Sequence, residues 1–268
     1  MGKSVKLRSP GFLFSHAESK ADEKLSTRHC HDTYEILFVS EGKGRYLIEG
    51  AEFKLRPRTL VLIKPFEYHC VEVEAGKTYE RYVLHFTEES VVKEVKGTLE
   101  SLADKTAEDS GNFYSPDSIS QMIVSIFDRF EGGEQLSEED RASYFKLLLS
   151  ELITLLSLAG NQKIAHDEAE LGARVSKYVN EYLEKDIPLD VIAKRFFVSK
   201  YYLCRAFKKY SGVSLHAYVT QKRVVYAKQL IESGETASGA AYKVGFGDYS
   251  AFYRAYMKVF GNPPTSSK

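Results

Sequence analysis

The chain has little cysteine, no long apolar run and no net charge. Its three cysteines, Cys30, Cys70 and Cys204, are odd in number and widely spaced along 268 residues. That excludes a disulfide framework and suits a reducing cytoplasm. No apolar stretch approaches the ~18–20 residues that cross a bilayer, so no membrane partner is expected. The opening Met-Gly-Lys-Ser-Val-Lys has charge but no apolar segment behind it, so no secretory leader is expected. The zero net charge hides an asymmetry: residues 170–268 hold 16 Lys+Arg against 8 Asp+Glu, whereas residues 1–169 hold 21 against 29. Only the C-terminal third suits a polyanion.

That third contains a repeated plan. Ser199-Lys-Tyr-Tyr-Leu-Cys-Arg-Ala-Phe-Lys-Lys-Tyr-Ser-Gly212 reads as a short basic helix, capped by Ser199 and stopped by Gly212. Leu203, Ala206, Phe207 and Tyr210 share one face. Asp248-Tyr-Ser-Ala-Phe-Tyr-Arg-Ala-Tyr-Met-Lys-Val-Phe-Gly261 repeats it. There Asp248 is the cap, Gly261 the stop, and Phe252, Arg254, Tyr256 and Lys258 stand at matching positions. Shorter helices precede each, around Val191–Lys194 and Ala240–Lys243. A short helix, a tight turn and a second, basic helix form a helix-turn-helix, here present twice. The stretch Ser214–Glu232 between the units reads as one helix of about 19 residues, or ~28 Å at 1.5 Å per residue. A turn of B-DNA is ~34 Å, so one chain could set two reading helices into successive major grooves.

The rest of the chain has other periods. Tyr34–Ser40, Arg45–Ile48, Thr59–Ile63, Tyr68–Val73 and Tyr79–Phe86 read as short strands, with Glu41-Gly-Lys-Gly44 a hairpin connection. Phe12–Phe14 reads as an edge strand. Many short strands suggest a β-barrel or jelly roll. Ser90–Leu102 and Ile119–Phe130 read as amphipathic helices, with Ala103–Ser118 a loop between them. Glu131-Gly-Gly-Glu134 breaks the chain, and Ser137 with Asp140 resembles a capping box opening a helix to about Ala159. That helix is apolar on more than one side, which fits packing on the barrel and a dimer contact. The expected architecture is α+β in two domains. Residues 1–160 form a cupin-like β-barrel with flanking helices, for effector binding and dimerisation. Residues 161–170 form a linker, and residues 171–268 an all-α DNA-binding domain with two helix-turn-helix units.

Three stretches of the C-terminal part resemble the AraC/XylS family of bacterial transcription regulators: Tyr-Leu-Cys-Arg-Ala-Phe-Lys-Lys-Tyr-Ser-Gly, Arg223 with Ala227 and Leu230-Ile231, and Val-Gly-Phe-Gly-Asp-Tyr-Ser-Ala-Phe-Tyr-Arg. The resemblance implies seven helices, a double-stranded DNA operator, an attached ligand domain, a homodimer and a contact with RNA polymerase. Carried over by position, Tyr201, Cys204 and Arg205 in the first recognition helix, and Tyr249, Ser250, Tyr253 and Arg254 in the second, are the residues to reach bases. Arg is the strongest reader, because its fork binds guanine O6 and N7 together. Lys200, Lys208, Lys209 and Lys258 suit phosphates, which position the protein without reading sequence. Two departures stand out: Thr236-Ala-Ser-Gly-Ala-Ala241 is small before the second recognition helix, and the tail lacks an aromatic-basic pair after its prolines.

The N-terminal half resembles a cupin sensor. His29-Cys-His31, Glu35 and Gly42 fit His-x-His-x3-Glu-x6-Gly, and Pro65-Phe-Glu-Tyr-His69 resembles the second cupin motif with a glycine missing. Arg28, His29, His31, Tyr34, Glu35 and His69 are the candidate effector ligands. The resemblance implies a small polar effector, such as a carbohydrate. His29, His31, Glu35 and His69 are also the donor types for Fe, Mn, Ni or Zn. A metal-free effector pocket is the favoured reading, with no cofactor, because a fused DNA-binding domain makes turnover unnecessary. His16 and His85 lie outside the motif and read as ordinary polar residues. Two other functions stay open at this point: a cupin metalloenzyme with accessory helices, and a protein-interaction adaptor with helical arms.

Overall fold

The computed structural model describes residues 4–20, 28–49, 51–103, 113–159, 170–185 and 187–264. Among the described residues, the first half is built from nine strands in two antiparallel sheets. They are β1 (Ser4–Ser9), β2 (Phe12–Lys20), β3 (Tyr34–Glu41), β4 (Gly44–Ile48), β5 (Ala51–Leu55), β6 (Thr59–Ile63), β7 (His69–Val73), β8 (Thr78–Phe86) and β9 (Phe113–Tyr114). The large sheet runs β1-β2-β8-β3-β6-β9 and the small one β5-β4-β7.

The middle strands explain their own composition. Along β3, Ile36 and Phe38 enter one core while Leu37 and Val39 enter another. Along β6, Leu60 and Leu62 do the first and Val61 and Ile63 the second. A strand buried on both faces reads as a continuous apolar run rather than an alternating one. One core lies between the sheets, where Leu37, Val61 and Tyr79 meet Tyr46, Ile48, Phe53 and Leu55. The other is closed by α2 (Gln121–Gly132) and α3 (Glu138–Leu158), with Phe38 stacked on Phe127 at 4.6 Å between centroids. A shorter α1 (Lys93–Ala103) packs beside α3.

Several expectations need correcting. Phe12–Phe14 belongs to a nine-residue strand held between β1 and β8, not to an edge. β1 and β5 were not anticipated; β5 is charged at alternate positions and gains its place from pairing with β4. Glu131 and Gly132 finish α2 instead of breaking the chain, and the break comes in the following turn. The cap at Ser137 forms as expected, its hydroxyl accepting from Asp140 N and donating to Asp140 Oδ2. Within the loop expected over residues 103–118, Phe113–Tyr114 instead form β9, paired with β6; residues 104–112, like most of the expected linker, lie outside the described residues.

The second half is all helical. It comprises α4 (Glu170–Glu181), α5 (Leu189–Arg195), α6 (Lys200–Ser211), α7 (Leu215–Glu232), α8 (Ala237–Lys243) and α9 (Tyr249–Phe260). Among the described residues this makes six α-helices, against the seven implied by the resemblance. Two small cores flank α7. Tyr218 and Val225 face Leu203 and Phe207 of the first unit, whereas Val224, Ala227 and Ile231 face Ala240, Ala241, Phe252 and Tyr256 of the second. A helix walled on two sides has no single apolar stripe, and α7 is such a helix. Ala240 and Ala241, small as they are, are fully buried against it. Among the described residues no helix is long and apolar enough to cross a membrane.

Candidate functional site

Two sites are assembled from the residues singled out above. In the helical half, local chemistry sets both recognition helices. Ser199 Oγ accepts from Tyr202 N at the start of α6, and Gly212 ends it in the left-handed region at φ 75°. Asp248 accepts from Ser250 N and Ala251 N at the start of α9, and Gly261 ends it at φ 73°. The apolar faces are buried through Leu203 and Phe207, and through Phe252 and Tyr256. The opposite faces expose Tyr201, Cys204, Arg205, Lys208 and Lys209 on α6, and Ser250, Tyr253, Arg254 and Lys258 on α9. Tyr249 is half-buried, its ring packed against Phe252 and Tyr253. Lys200 is exposed but paired with Asp190 of α5. Arg223 ties the units together: it donates to Leu183 O, Lys185 O and Gly245 O at 3.0, 2.6 and 2.8 Å.

In the sheet half, β3, β8 and the two segments around residues 28–32 and 65–69 bring His29, His31, Glu35, His69 and His85 together. His31 Nε2 lies 3.0 Å from Glu35 Oε2, within hydrogen-bond distance. His69 Nε2 and His85 Nε2 stand 3.5 and 3.7 Å from the same oxygen. Tyr46 OH reaches Glu35 Oε1 at 3.3 Å. His31 Nδ1 faces Thr33 O at 2.9 Å and His69 Nδ1 faces Glu67 O at 2.8 Å, which orients both rings. The His29 ring lies 4.5 Å from that of His69, between backbones joined by paired hydrogen bonds.

The electrostatics follow from burial and company. Burial acts to raise the Glu35 carboxyl, but hydrogen bonds from His31 and His69 outweigh it and hold the group well below the usual range. Burial likewise acts to lower His69, yet Glu35 keeps it above its ordinary value. His85 has no such bond, and burial pushes it down to about 4. The neutral rim is Tyr46, whose phenol burial and Glu35 drive well up.

Not every expected ligand joins the cluster. Arg28 turns away, its guanidinium donating to Ser211 O of the helical half. The Tyr34 ring stacks on Phe86 at 5.4 Å in the sheet core. His85, expected as an ordinary polar residue, belongs to the cluster, because its partner register on β8 sets it beside Glu35 of β3. His16 is buried between Glu80 and Glu131 at 2.9 and 3.0 Å.

Sequence reasoning missed the junction between the halves. Glu49, at the β4–β5 turn, is enclosed there: Lys222 Nζ donates to its Oε1 at 2.7 Å, Tyr68 N to Oε1 at 2.9 Å, and Tyr218 OH and Ser176 Oγ to Oε2 at 2.6 and 2.7 Å. Burial acts to raise this carboxyl, and Lys222 overrides it and lowers it. Lys222 also donates to Phe66 O. Asp32 pairs with Lys228 at 2.8 Å, and the Tyr68 ring lies 5.3 Å from that of Tyr218. Glu49 and Phe66 both hold positive φ, 45° and 67°, a conformation that costs a residue with a Cβ roughly 1–2 kcal/mol. An acidic residue before glycine in a hairpin looks like a solvated turn, so no local signal marks Glu49. A cleft of about 750 Å³ opens beside it, lined by Lys64, Glu67, Lys177, Tyr210 and Tyr226 among others.

Comparison with known proteins bears on both sites. Residues 13–171 match the family model of the AraC-like ligand binding domain, and residues 192–267 match a helix-turn-helix domain model. The uncharacterized HTH-type transcriptional regulator YbfI of Bacillus subtilis (strain 168) is 26% identical over 230 residues, covering 83% of this chain and 79% of that protein. The HTH-type transcriptional activator RhaS of Enterobacter sp. (strain 638) is 19% identical over 250 residues, covering 92% and 89%. Among solved structures, ToxT from Vibrio cholerae O395 is similar over 96% of both chains, with 13% identity and a TM-score of 0.42.

Proposed function

The chain belongs to the AraC family of DNA-binding transcriptional regulators, with an N-terminal ligand-binding domain, and from that premise we propose that a small polar effector at the imidazole–Glu35 cluster controls how the DNA-binding half is held. Its relatives are regulators of transcription, not enzymes. The observation that carries the proposal is a shared set of segments. Residues 28–32 supply His29 and His31 to the cluster, and Arg28 and Asp32 to the helical half. Residues 66–69 supply His69 to the cluster, and Phe66 O and the Tyr68 ring to α7. A ligand that reorders either segment reorders the docking. Left-handed backbone at Phe66 and Glu49 places conformational strain at this junction, which is where such strain accompanies switching.

The effector is a molecule rich in hydroxyl or carboxylate oxygens, a carbohydrate for example, since imidazoles and Tyr46 OH are suited to hydrogen-bond it. His29, His31, Glu35 and His69 are its contacts; Arg28 and Tyr34 act around them. On the DNA side, Tyr201, Arg205, Tyr249, Ser250, Tyr253 and Arg254 read bases, with Cys204 beside them. Lys200, Lys208, Lys209 and Lys258 take phosphates. The exposed Leu147 and Leu158 of α3 form the contact of a homodimer.

A thermal-shift screen of polar metabolites on the full chain, followed by DNA affinity with and without each hit, tests the reading. A hit raises the melting temperature by mass action and changes DNA affinity, and both effects are lost in His31→Ala. Hits that bind without altering DNA affinity would refute it.

A further inference from the structure

We propose that Phe197, in the turn of the first helix-turn-helix unit, packs its ring on a thymine methyl group in the major groove of the operator. The inference rests on the reading of α6 as a recognition helix and adds a contact outside that helix. It starts from the two turns of this chain. In the second unit, Gly245 N donates to Tyr242 O and Phe246 N to Ala241 O, both at 3.0 Å, and Gly245 holds φ 87°. In the first, Phe197 N donates to Lys194 O at 3.2 Å and Val198 N to Ala193 O at 3.0 Å, and Phe197 holds φ 55°. The same helix-ending turn is built around glycine in one unit and phenylalanine in the other. Such a turn favours glycine, because the left-handed region crowds a Cβ.

Among the described residues nothing offsets that choice. The Phe197 side chain is 96% exposed. Its neighbour Phe196 is the one that packs, with its ring 5.9 Å from that of Tyr178 and 5.4 Å from the Arg174 guanidinium. The second turn is closed by the protein itself: a Cβ on Gly245 would meet the Arg223 guanidinium at 2.8 Å and Glu184 O at 3.1 Å. The first turn is open. A single exposed apolar residue calls for no explanation. One that is also held in a strained backbone conformation points to a contact made outside the folded chain.

Position says which contact. Phe197 lies just ahead of Ser199, the cap of α6, between exposed Lys194 and Arg195 on one side and exposed Lys200 and Tyr201 on the other. Flanking charge of this sign suits a polyanion rather than an apolar protein surface. In helix-turn-helix docking the recognition helix sets its N-terminal residues against base edges, while the preceding helix crosses the backbone. The turn that joins them therefore runs along the groove wall. Thymine presents an apolar group there, its C5-methyl, which an aromatic ring can cover. Cytosine has no such group, so the contact selects between the two pyrimidines.

An operator selected from random duplexes by the full-length chain supplies the test. Each thymine in it is replaced in turn by deoxyuridine, which differs only by the missing methyl. For the parent chain, one replacement in the half-site of the first unit should weaken binding about fourfold, the effect of one buried methyl. Phe197→Gly should bind the selected operator at least about fivefold more weakly and lose its response to that replacement, while melting no lower than the parent. A lower melting temperature with affinity unchanged would give the ring a structural role and overturn the proposal. So would a loss that is equal on selected and random duplexes, or a deoxyuridine response that survives in Phe197→Gly. Affinity kept by Phe197→Gly but lost by Arg205→Ala would refute this contact and leave the recognition helix standing. Affinity kept by both variants would remove the reading of α6 itself.

Discussion

Lys222 of α7 and Glu49 of the sensor half meet at 2.7 Å across 173 residues of chain. The lysine is 2% exposed, so its charge is balanced inside the protein rather than by water. Glu49 in turn accepts from Tyr218, Ser176 and the Tyr68 backbone. The pair therefore couples the two halves through the same helix that separates the two helix-turn-helix units.

Removing one partner should be worse than removing both. Lys222→Ala leaves a buried carboxylate without its counter-charge, at a cost of about 3–5 kcal/mol. Glu49→Gln with Lys222→Met should recover much of that loss. Urea unfolding of the full chain measures both. An unchanged midpoint in Lys222→Ala would show that the contact contributes nothing in solution.

Docking should also fail in acid. The folded Glu49 carboxyl lies below its ordinary value, so its contribution is complete above the unfolded value of about 4.3. It disappears as pH falls through the lower, folded value. Small-angle scattering should show the chain unchanged from pH 7 to 5 and expanding below about pH 4. In Glu49→Gln this part of the acid response should be missing.

Base reading and phosphate anchoring should separate. Arg205→Ala and Arg254→Ala should each cost about 1–3 kcal/mol at a selected operator and relax its sequence preference. Lys208→Ala and Lys209→Ala should weaken binding to all sequences and reduce the salt slope by about 1 each. Fluorescence anisotropy over a salt series distinguishes them. Equal loss on specific and random DNA for the arginine variants would contradict their role as readers.

The two helix-ending glycines give an internal control. Gly212 and Gly261 share the same φ, but a Cβ at Gly212 would strike the Arg28 guanidinium, while at Gly261 it meets nothing within 4 Å. Gly261→Ala should cost about 1 kcal/mol, the left-handed penalty alone. Gly212→Ala should cost more in the full chain, and Arg28→Ala should abolish the excess. Equal melting temperatures for the two variants would mean that Arg28 does not reach across.

Self-association should depend on α3. Leu147→Glu with Leu158→Glu replaces two exposed side chains, 62% and 76% accessible, so folding should be intact. Sedimentation should show a dimer for the parent chain and a monomer for the variant.

How much was legible beforehand depended on range. The caps at Ser199, Ser137 and Asp248 and the stops at Gly212 and Gly261 appear where expected, because a cap is a contract among four neighbouring residues. Strands buried on both faces, such as β6, announce themselves by composition. His85 was misread because only the pairing of β3 with β8 sets it beside Glu35, 50 positions earlier. Glu49 gave no sign because its side-chain partners lie on α4 and α7. Arg28 was assigned to the right neighbourhood and the wrong side of it.

Arg223 grips carbonyls from both sides of α7, in the loop after α4 and in the turn before α9. With that clamp closed, neither reading head can swivel without dragging the other. Phasing along the duplex should then be set within one polypeptide. Operators lengthened by about five base pairs, half a helical turn, would carry their second half round to the far side, where the rigid pair has no means to follow.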